Sequence, residues 1–163
     1  MTGGRGPVAW EAAGPEEEDR YREIIRDRVE NSPFYQHMGL RVTGLGPGRA
    51  TFEMPAGRHL WNVGGIVHGG AITSIADAAA GVALATVLDA RTERPVTIEL
   101  KLNFCAPVRE GTLEARGRVV QKGKRIAVSD VEVTEGERLI AKGLATYMII
   151  ASGTAADAEG PAT

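Results

Sequence analysis

Residues 69–88 read Gly-Gly-Ala-Ile-Thr-Ser-Ile-Ala-Asp-Ala-Ala-Ala-Gly-Val-Ala-Leu-Ala-Thr-Val-Leu, and Asp77 is the one charged side chain among them. The run predicts a long helix that is apolar on nearly every side. Such a helix has to be covered over most of its circumference. Thr73, Ser74, Asp77, Gly81 and Thr86, with alanine rather than leucine as the main residue, argue against a membrane span. An ionised carboxylate in an apolar helix is costly unless it is paired or used, which makes Asp77 a candidate catalytic group. The lead-in, Asn62-Val63-Gly64-Gly65-Ile66-Val67-His68-Gly69-Gly70, is rich in glycine. That composition lets a ligand approach backbone N–H groups at the helix start. Donor amides at one end and a buried carboxylate two turns on fit acyl transfer.

The flanking segments say what covers the helix. Residues 16–29 begin acidic and end basic, which suits a helix dipole, and Tyr21, Ile24, Ile25 and Arg28 share a stripe that places this helix on a surface. Asn31-Ser32-Pro33 is expected to end it, with extended chain following. Residues 40–45 and 49–54 predict a hairpin turned by Gly46-Pro47-Gly48. Residues 96–104 alternate apolar and polar at every position, with Thr97, Glu99, Lys101 and Asn103 in the polar row. Further strands are expected at 113–121, 125–134 and 139–150, giving a four-strand antiparallel meander. The fold class is therefore α+β: a curled antiparallel sheet wrapped around one long apolar helix. A second subunit is expected to complete the cover, with Ala76, Ala79, Ala80, Gly81 and Ala83 allowing close approach. Residues 16–151 make one domain with an N-terminal helix. Residues 1–15 and 152–163 have the composition of disordered tails.

Bulk properties remove several function classes. The 163 residues carry 19 basic and 21 acidic side chains, a formal charge of -2, which argues against a nucleic-acid surface. Cys105 is the single cysteine, so no internal disulfide can form; it is read as a buried structural thiol in a cytoplasmic protein. The N-terminal ten residues lack the apolar core of a leader. His37, His59 and His68 do not stand at metal-ligand spacing, so no metal is expected.

Asn62, the step His68-Gly69-Gly70, Asp77 and Gly81 form a motif. With Pro33-Phe34-Tyr35-Gln36-His37-Met38-Gly39-Leu40, Gly46-Pro47-Gly48-Arg49-Ala50, and Asn103-Phe104 followed by Pro107 and Gly111, it resembles the hotdog-fold acyl-CoA thioesterases. The nearest subgroup is the PaaI-like and thioesterase-superfamily-member one, and the resemblance runs over residues 34–150. It implies a half-site on each subunit of a homodimer. The backbone N–H at Gly69 or Gly70 would face the thioester carbonyl, and Asp77 of the other subunit would act as nucleophile or general base. Asn62 and Thr97 would place water or substrate. Coenzyme A enters as part of the substrate, with no separate cofactor. Relatives commonly pair dimers, so a dimer of dimers is expected, with no nucleic-acid or membrane partner.

Each candidate has a plainer reading beside it. Asp77 could be bonded to Thr73 or paired with a partner-chain Arg. His68 could be a general base or could hold its loop by hydrogen bonds. Asn62 could cap a loop, and Thr97 could be an ordinary strand threonine. Lys122, Lys124 and Arg125 could hold coenzyme A phosphates, or could be a solvated hairpin tip. The function expected is hydrolysis of an acyl-CoA to free acid and CoA. The alternatives are a non-catalytic acyl-CoA-binding or sensing module and a hotdog hydratase or dehydratase using His68.

Overall fold

The computed structural model describes residues 9–10 and 14–152. The elements are β1 (Ala9–Trp10), α1 (Pro15–Ile24), α2 (Pro33–Met38), β2 (Arg41–Gly46), β3 (Arg49–Ala56), α3 (Gly69–Ala85), β4 (Glu93–Phe104), β5 (Gly111–Lys122), β6 (Ile126–Glu135) and β7 (Arg138–Ala151). Pro15 starts α1 at a position where its missing N–H is harmless, and Glu16, Glu17 and Glu18 occupy the first turn. The helix continues with wider π spacing over Ile25–Glu30. Tyr21, Ile24 and Val29 are its buried residues.

The segment after Asn31 is helical, not extended as expected. Ser32 accepts the Tyr35 N–H at 3.3 Å, Pro33 takes the first helical position, and Gly39 closes α2 at φ 68. A proline that ends one helix is equally suited to open the next when a serine cap precedes it. Ala9–Trp10, within the stretch expected to be disordered, pair in parallel with Gly44 and Leu45. The remainder of 1–15 up to 13, and 153–163, lie outside the described residues.

The strand order is β1-β2-β3-β5-β6-β7-β4. Six strands are antiparallel, and β4 pairs with β7 at the far edge. The expected four-strand meander is thus a three-strand one, β5-β6-β7. The link from β4 to β5 crosses the end of the sheet instead of turning back. It starts where Cys105 N–H donates to Ile140 O (2.8 Å) and ends where Gly111 stands opposite Ala56 on β3. Midway, Val67 N–H donates to Val108 O (2.8 Å) and Trp61 Nε1 donates to Arg109 O (2.7 Å), which fastens it to the lead-in of α3.

The curled sheet covers α3 from within one chain. Ala76, Ala79, Ala80 and Ala83 are fully buried against it, so these small residues serve the approach of helix to its own sheet and not to a second subunit. The approach is close enough that a Cβ at Gly117 would lie 2.3 Å from Ala79 O. The incompletely covered stripe is Gly70, Thr73, Ser74, Asp77 and Gly81. At the other end Thr86, fully buried, accepts from Gly48 N–H (2.8 Å) and donates to Ala83 O (2.7 Å), tying α3 to the β2–β3 turn. No helix among the described residues is long and apolar enough to cross a membrane.

Candidate active site

Asp77 lies on the uncovered stripe and is half-buried, less enclosed than its sequence surroundings suggest. Thr97 Oγ1 donates to its Oδ1 at 3.1 Å, and Tyr147 Oη lies 3.4 Å from the same oxygen and 3.4 Å from the Asp77 carbonyl oxygen. Thr73 is not a partner: its hydroxyl donates to Gly69 O (2.9 Å), as Ser74 Oγ does to Gly70 O (2.9 Å). Among the described residues no cation pairs with Asp77.

A β-bulge aims Thr97 at this carboxylate. Thr97 stands opposite Tyr147 and Glu99 opposite Thr146, so Ile98 has no opposite number on β7. The strict alternation read over 96–104 is therefore broken once. Thr97 leaves the polar row of Glu99, Lys101 and Asn103 and joins Leu100 and Leu102 on the face turned to α3. Val96 and Ile98 go outward, 41% and 50% exposed. An extra residue re-aiming a side chain is a common use of a bulge beside a site.

Two tyrosines near Asp77 were not picked out by sequence. Burial pushes the Tyr147 hydroxyl well above its ordinary value, and the Asp77 charge adds to this. Tyr35 is pushed up to about 12, by burial first and by Asp77 second, with Arg28 opposing. Arg28 is itself held below its ordinary range by burial. The alternation of Ala145, Tyr147 and Ile149 shows that Tyr147 faces inward, but nothing in one sequence shows that Asp77 stands above it.

The lead-in residues separate by role. His68 caps α3, its Nδ1 accepting Gly70 N–H at 2.8 Å. Gly70 N–H is therefore engaged, whereas Gly69 N–H has no acceptor among the described residues. The Phe104 ring lies over Gly69, 3.2 Å from where a Cβ would be. Asn62 Oδ1 accepts Gly64 N–H (2.8 Å) and Ile66 N–H (3.5 Å), and its backbone N–H donates to Ile66 O (2.8 Å). It closes the glycine loop as an Asx turn, with its side-chain NH2 unpartnered among the described residues. Eight residues of helix separate Gly69 from Asp77, roughly 12 Å along the axis. One chain therefore does not bring that amide and that carboxylate to one carbonyl group.

Lys122, Lys124 and Arg125 form the exposed β5–β6 tip. The register Lys122–Ala127–Tyr147–Thr97 across β5, β6, β7 and β4 places the tip at the Thr97 end of the sheet. Lys122 Nζ pairs with Glu93 at 3.6 Å, and Lys124 and Arg125 have no ion pair among the described residues. Cys105 is exposed, not buried as expected, because it sits on the crossing link and not in a strand facing the core. No group of three metal-ligating side chains occurs among the described residues.

The sequence profile of the thioesterase superfamily matches residues 64–142. The chain is 33% identical over 134 residues to "Putative esterase SSO2140" of Saccharolobus solfataricus, covering 82% of this chain and 94% of that protein. It superposes on a thioesterase family protein from Silicibacter pomeroyi with TM-score 0.75 and 31% identity, over 81% of this chain and 99% of the other. The conserved protein PA5202 from Pseudomonas aeruginosa gives TM-score 0.70 and 34% identity, over 73% and 94%. The architecture shared with these structures is the hotdog fold.

Proposed function

This chain belongs to the thioesterase superfamily, and we propose that it hydrolyses an acyl-CoA to the free acid and CoA in a cleft made by two copies of the chain. The observation that carries this reading is Asp77 itself: a half-buried carboxylate on an apolar helix, held by the Thr97 hydroxyl and paired with no cation among the described residues. A structural carboxylate in such a place would be expected to have a cationic partner. Gly69 N–H, at the positive end of α3, suits the oxyanion that develops on a thioester carbonyl. Asp77 then supplies the attack, directly or through water that it deprotonates. The thiolate leaves without needing a strong acid.

The need for two chains follows from the separation of Gly69 from Asp77 along one helix. The edge of β4 that faces away from β7 has no strand beside it among the described residues, and with outward Val96 and Ile98 it suits pairing with a second copy. The dimer of dimers expected from the resemblance would use a further face. Lys124 and Arg125 suit the nucleotide phosphates, with Lys122 a lesser contributor because Glu93 already holds it. Asn62 would offer its side-chain NH2 to substrate or water. His68 would position the glycines, and its engagement at Nδ1 disfavours the hydratase reading, which needs a histidine base.

Release of free thiol from a panel of acyl-CoAs tests the proposal. Hydrolysis is expected, and Asp77→Asn should lower kcat about 10²- to 10⁴-fold while CoA still binds. Binding without thiol release across the panel would favour a sensing module. Undiminished hydrolysis by Asp77→Asn would remove the carboxylate from the chemistry.

A further inference from the structure

The reaction just described uses Thr97 and leaves Tyr147 without a part, yet Tyr147 is the side chain that reaches Asp77 from the sheet beneath it. Its residue is 2% exposed, and its hydroxyl lies 3.4 Å from both the carbonyl oxygen and Oδ1 of Asp77. Thr97 Oγ1 approaches the same Oδ1 at 3.1 Å. Oδ2 has no partner among the described residues. An aspartate carboxylate turns readily about its last torsion, since that torsion has broad wells. Two hydroxyls gathered on one of its oxygens remove that freedom and point the other oxygen away from the sheet.

We propose that Tyr147 is a positioning residue that, together with Thr97, clamps Oδ1 of Asp77 so that Oδ2 is the oxygen that engages water or the acyl carbon. The inference rests on Asp77 being the reacting carboxylate. Three features make Tyr147 suited to the task. Its ring is fixed in the core, against the backbone of Gly81, where a Cβ would lie 3.5 Å from Oη. It stands directly across the ladder from Thr97, so the two hydroxyls move as one unit of the β4–β7 pair. Burial and the Asp77 charge also keep its proton on, so it remains a donor while the carboxylate works. Neither hydroxyl gives up its proton in the reaction. The clamp's effect is on orientation, and small misplacements of a reacting group are known to reduce turnover by about two orders of magnitude.

The test is steady-state hydrolysis of one good acyl-CoA by wild type, Tyr147→Phe, Asp77→Asn and the double variant, with melting temperatures alongside. Tyr147→Phe should lower kcat about 10- to 100-fold with KM and melting temperature nearly unchanged. The double variant should be no slower than Asp77→Asn alone, because a clamp has nothing to hold once the carboxylate is gone. A Tyr147→Phe kcat within about twofold of wild type, or an equal loss in the Asp77→Asn background, overturns the clamp. Should Tyr147→Phe fail to fold, Thr97→Val removes the other donor with the phenol left in place, and an unchanged kcat there overturns the clamp equally. Asp77→Asn read alone keeps the two claims apart. Undiminished hydrolysis by it defeats the catalytic reading, whereas its loss with an unaffected Tyr147→Phe defeats only the clamp.

Discussion

Thr97 stands opposite Tyr147 in the β4–β7 ladder, and both hydroxyls turn toward one oxygen of Asp77. Ile98, the unpaired residue of the bulge, is what permits this. A regular strand with Leu100 facing α3 would also turn Ile98 inward and send Thr97 out beside Glu99. The bulge exchanges the two: an apolar side chain is placed on the outer face so that a hydroxyl reaches the carboxylate. The exchange leaves β4 with an apolar outer patch at the edge where a second copy of the chain is proposed to pair.

Gly69→Pro is expected to remove the oxyanion donor while keeping the helix. Gly69 is the first residue of α3, where proline is well tolerated, and His68 at φ -63 and ψ 137 already has the extended backbone a residue before proline prefers. Loss of one such donor lowers kcat about 10²- to 10³-fold. If each site joins Gly69 of one chain to Asp77 of the other, co-expressing Gly69→Pro with Asp77→Asn chains should restore about a quarter of wild-type activity, since half of the dimers would carry one intact site. Activity no higher than that of either variant alone would show that both groups act within one chain.

Lys124→Ala with Arg125→Ala is expected to raise KM for acyl-CoA severalfold with kcat nearly unchanged, because the contact would be the same in ground and transition states. The rise should shrink as salt increases, and should vanish for an acyl pantetheine thioester that lacks the nucleotide. Equal KM changes for both substrates would make the tip a solvated turn and nothing more.

The helix, the glycine lead-in and the strands β5, β6 and β7 were legible because each rests on local composition and turn signals. The position of β4 was not: six residues after Phe104 look like a hairpin turn, and it is the pairing of β4 with β7 and of β5 with β3 that reveals a crossing. The bulge at Ile98 was invisible because the sequence alternates perfectly through it, and the ladder register, not the pattern, decides which face Thr97 takes. Tyr147 was hidden for a related reason. Its inward direction could be read from β7, but the turn of α3 that it meets depends on how the helix is laid across the sheet, which Gly117 sets by close contact with Ala79. Asp77 stands out in the sequence because a lone charge in an apolar run is conspicuous at any register.

Ser129 should tolerate, and gain from, loss of its hydroxyl. It is 0% exposed on β6, and its Oγ has no hydrogen-bond partner among the described residues. A buried unpaired hydroxyl typically destabilises by about 1–3 kcal/mol, and alanine removes it with little change in volume. The melting temperature of Ser129→Ala is expected to rise about 2–4 °C, as measured by calorimetry. A lower melting temperature would mean that the hydroxyl has a partner in solution.

Stability above pH 10 should fall because of tyrosines that keep their protons in the fold. An unfolded tyrosine ionises at about 10, whereas Tyr35 holds its proton to about 12, through burial first and the Asp77 charge second. Below the lower value both states are protonated and Tyr35 adds no pH dependence. Between the two values the unfolded chain has lost the proton and the folded one has not, so ionisation favours unfolding. The loss is on the order of 1 kcal/mol per pH unit and stops growing once the folded form ionises as well. Tyr147, raised for the same two reasons, steepens the fall. Urea midpoints measured at pH 9 and pH 11 should therefore drop markedly in wild type and less in Tyr35→Phe. The difference between the proteins isolates this tyrosine from lysines that titrate in the same range in both. An identical drop in Tyr35→Phe would place Tyr35 in contact with water, away from Asp77.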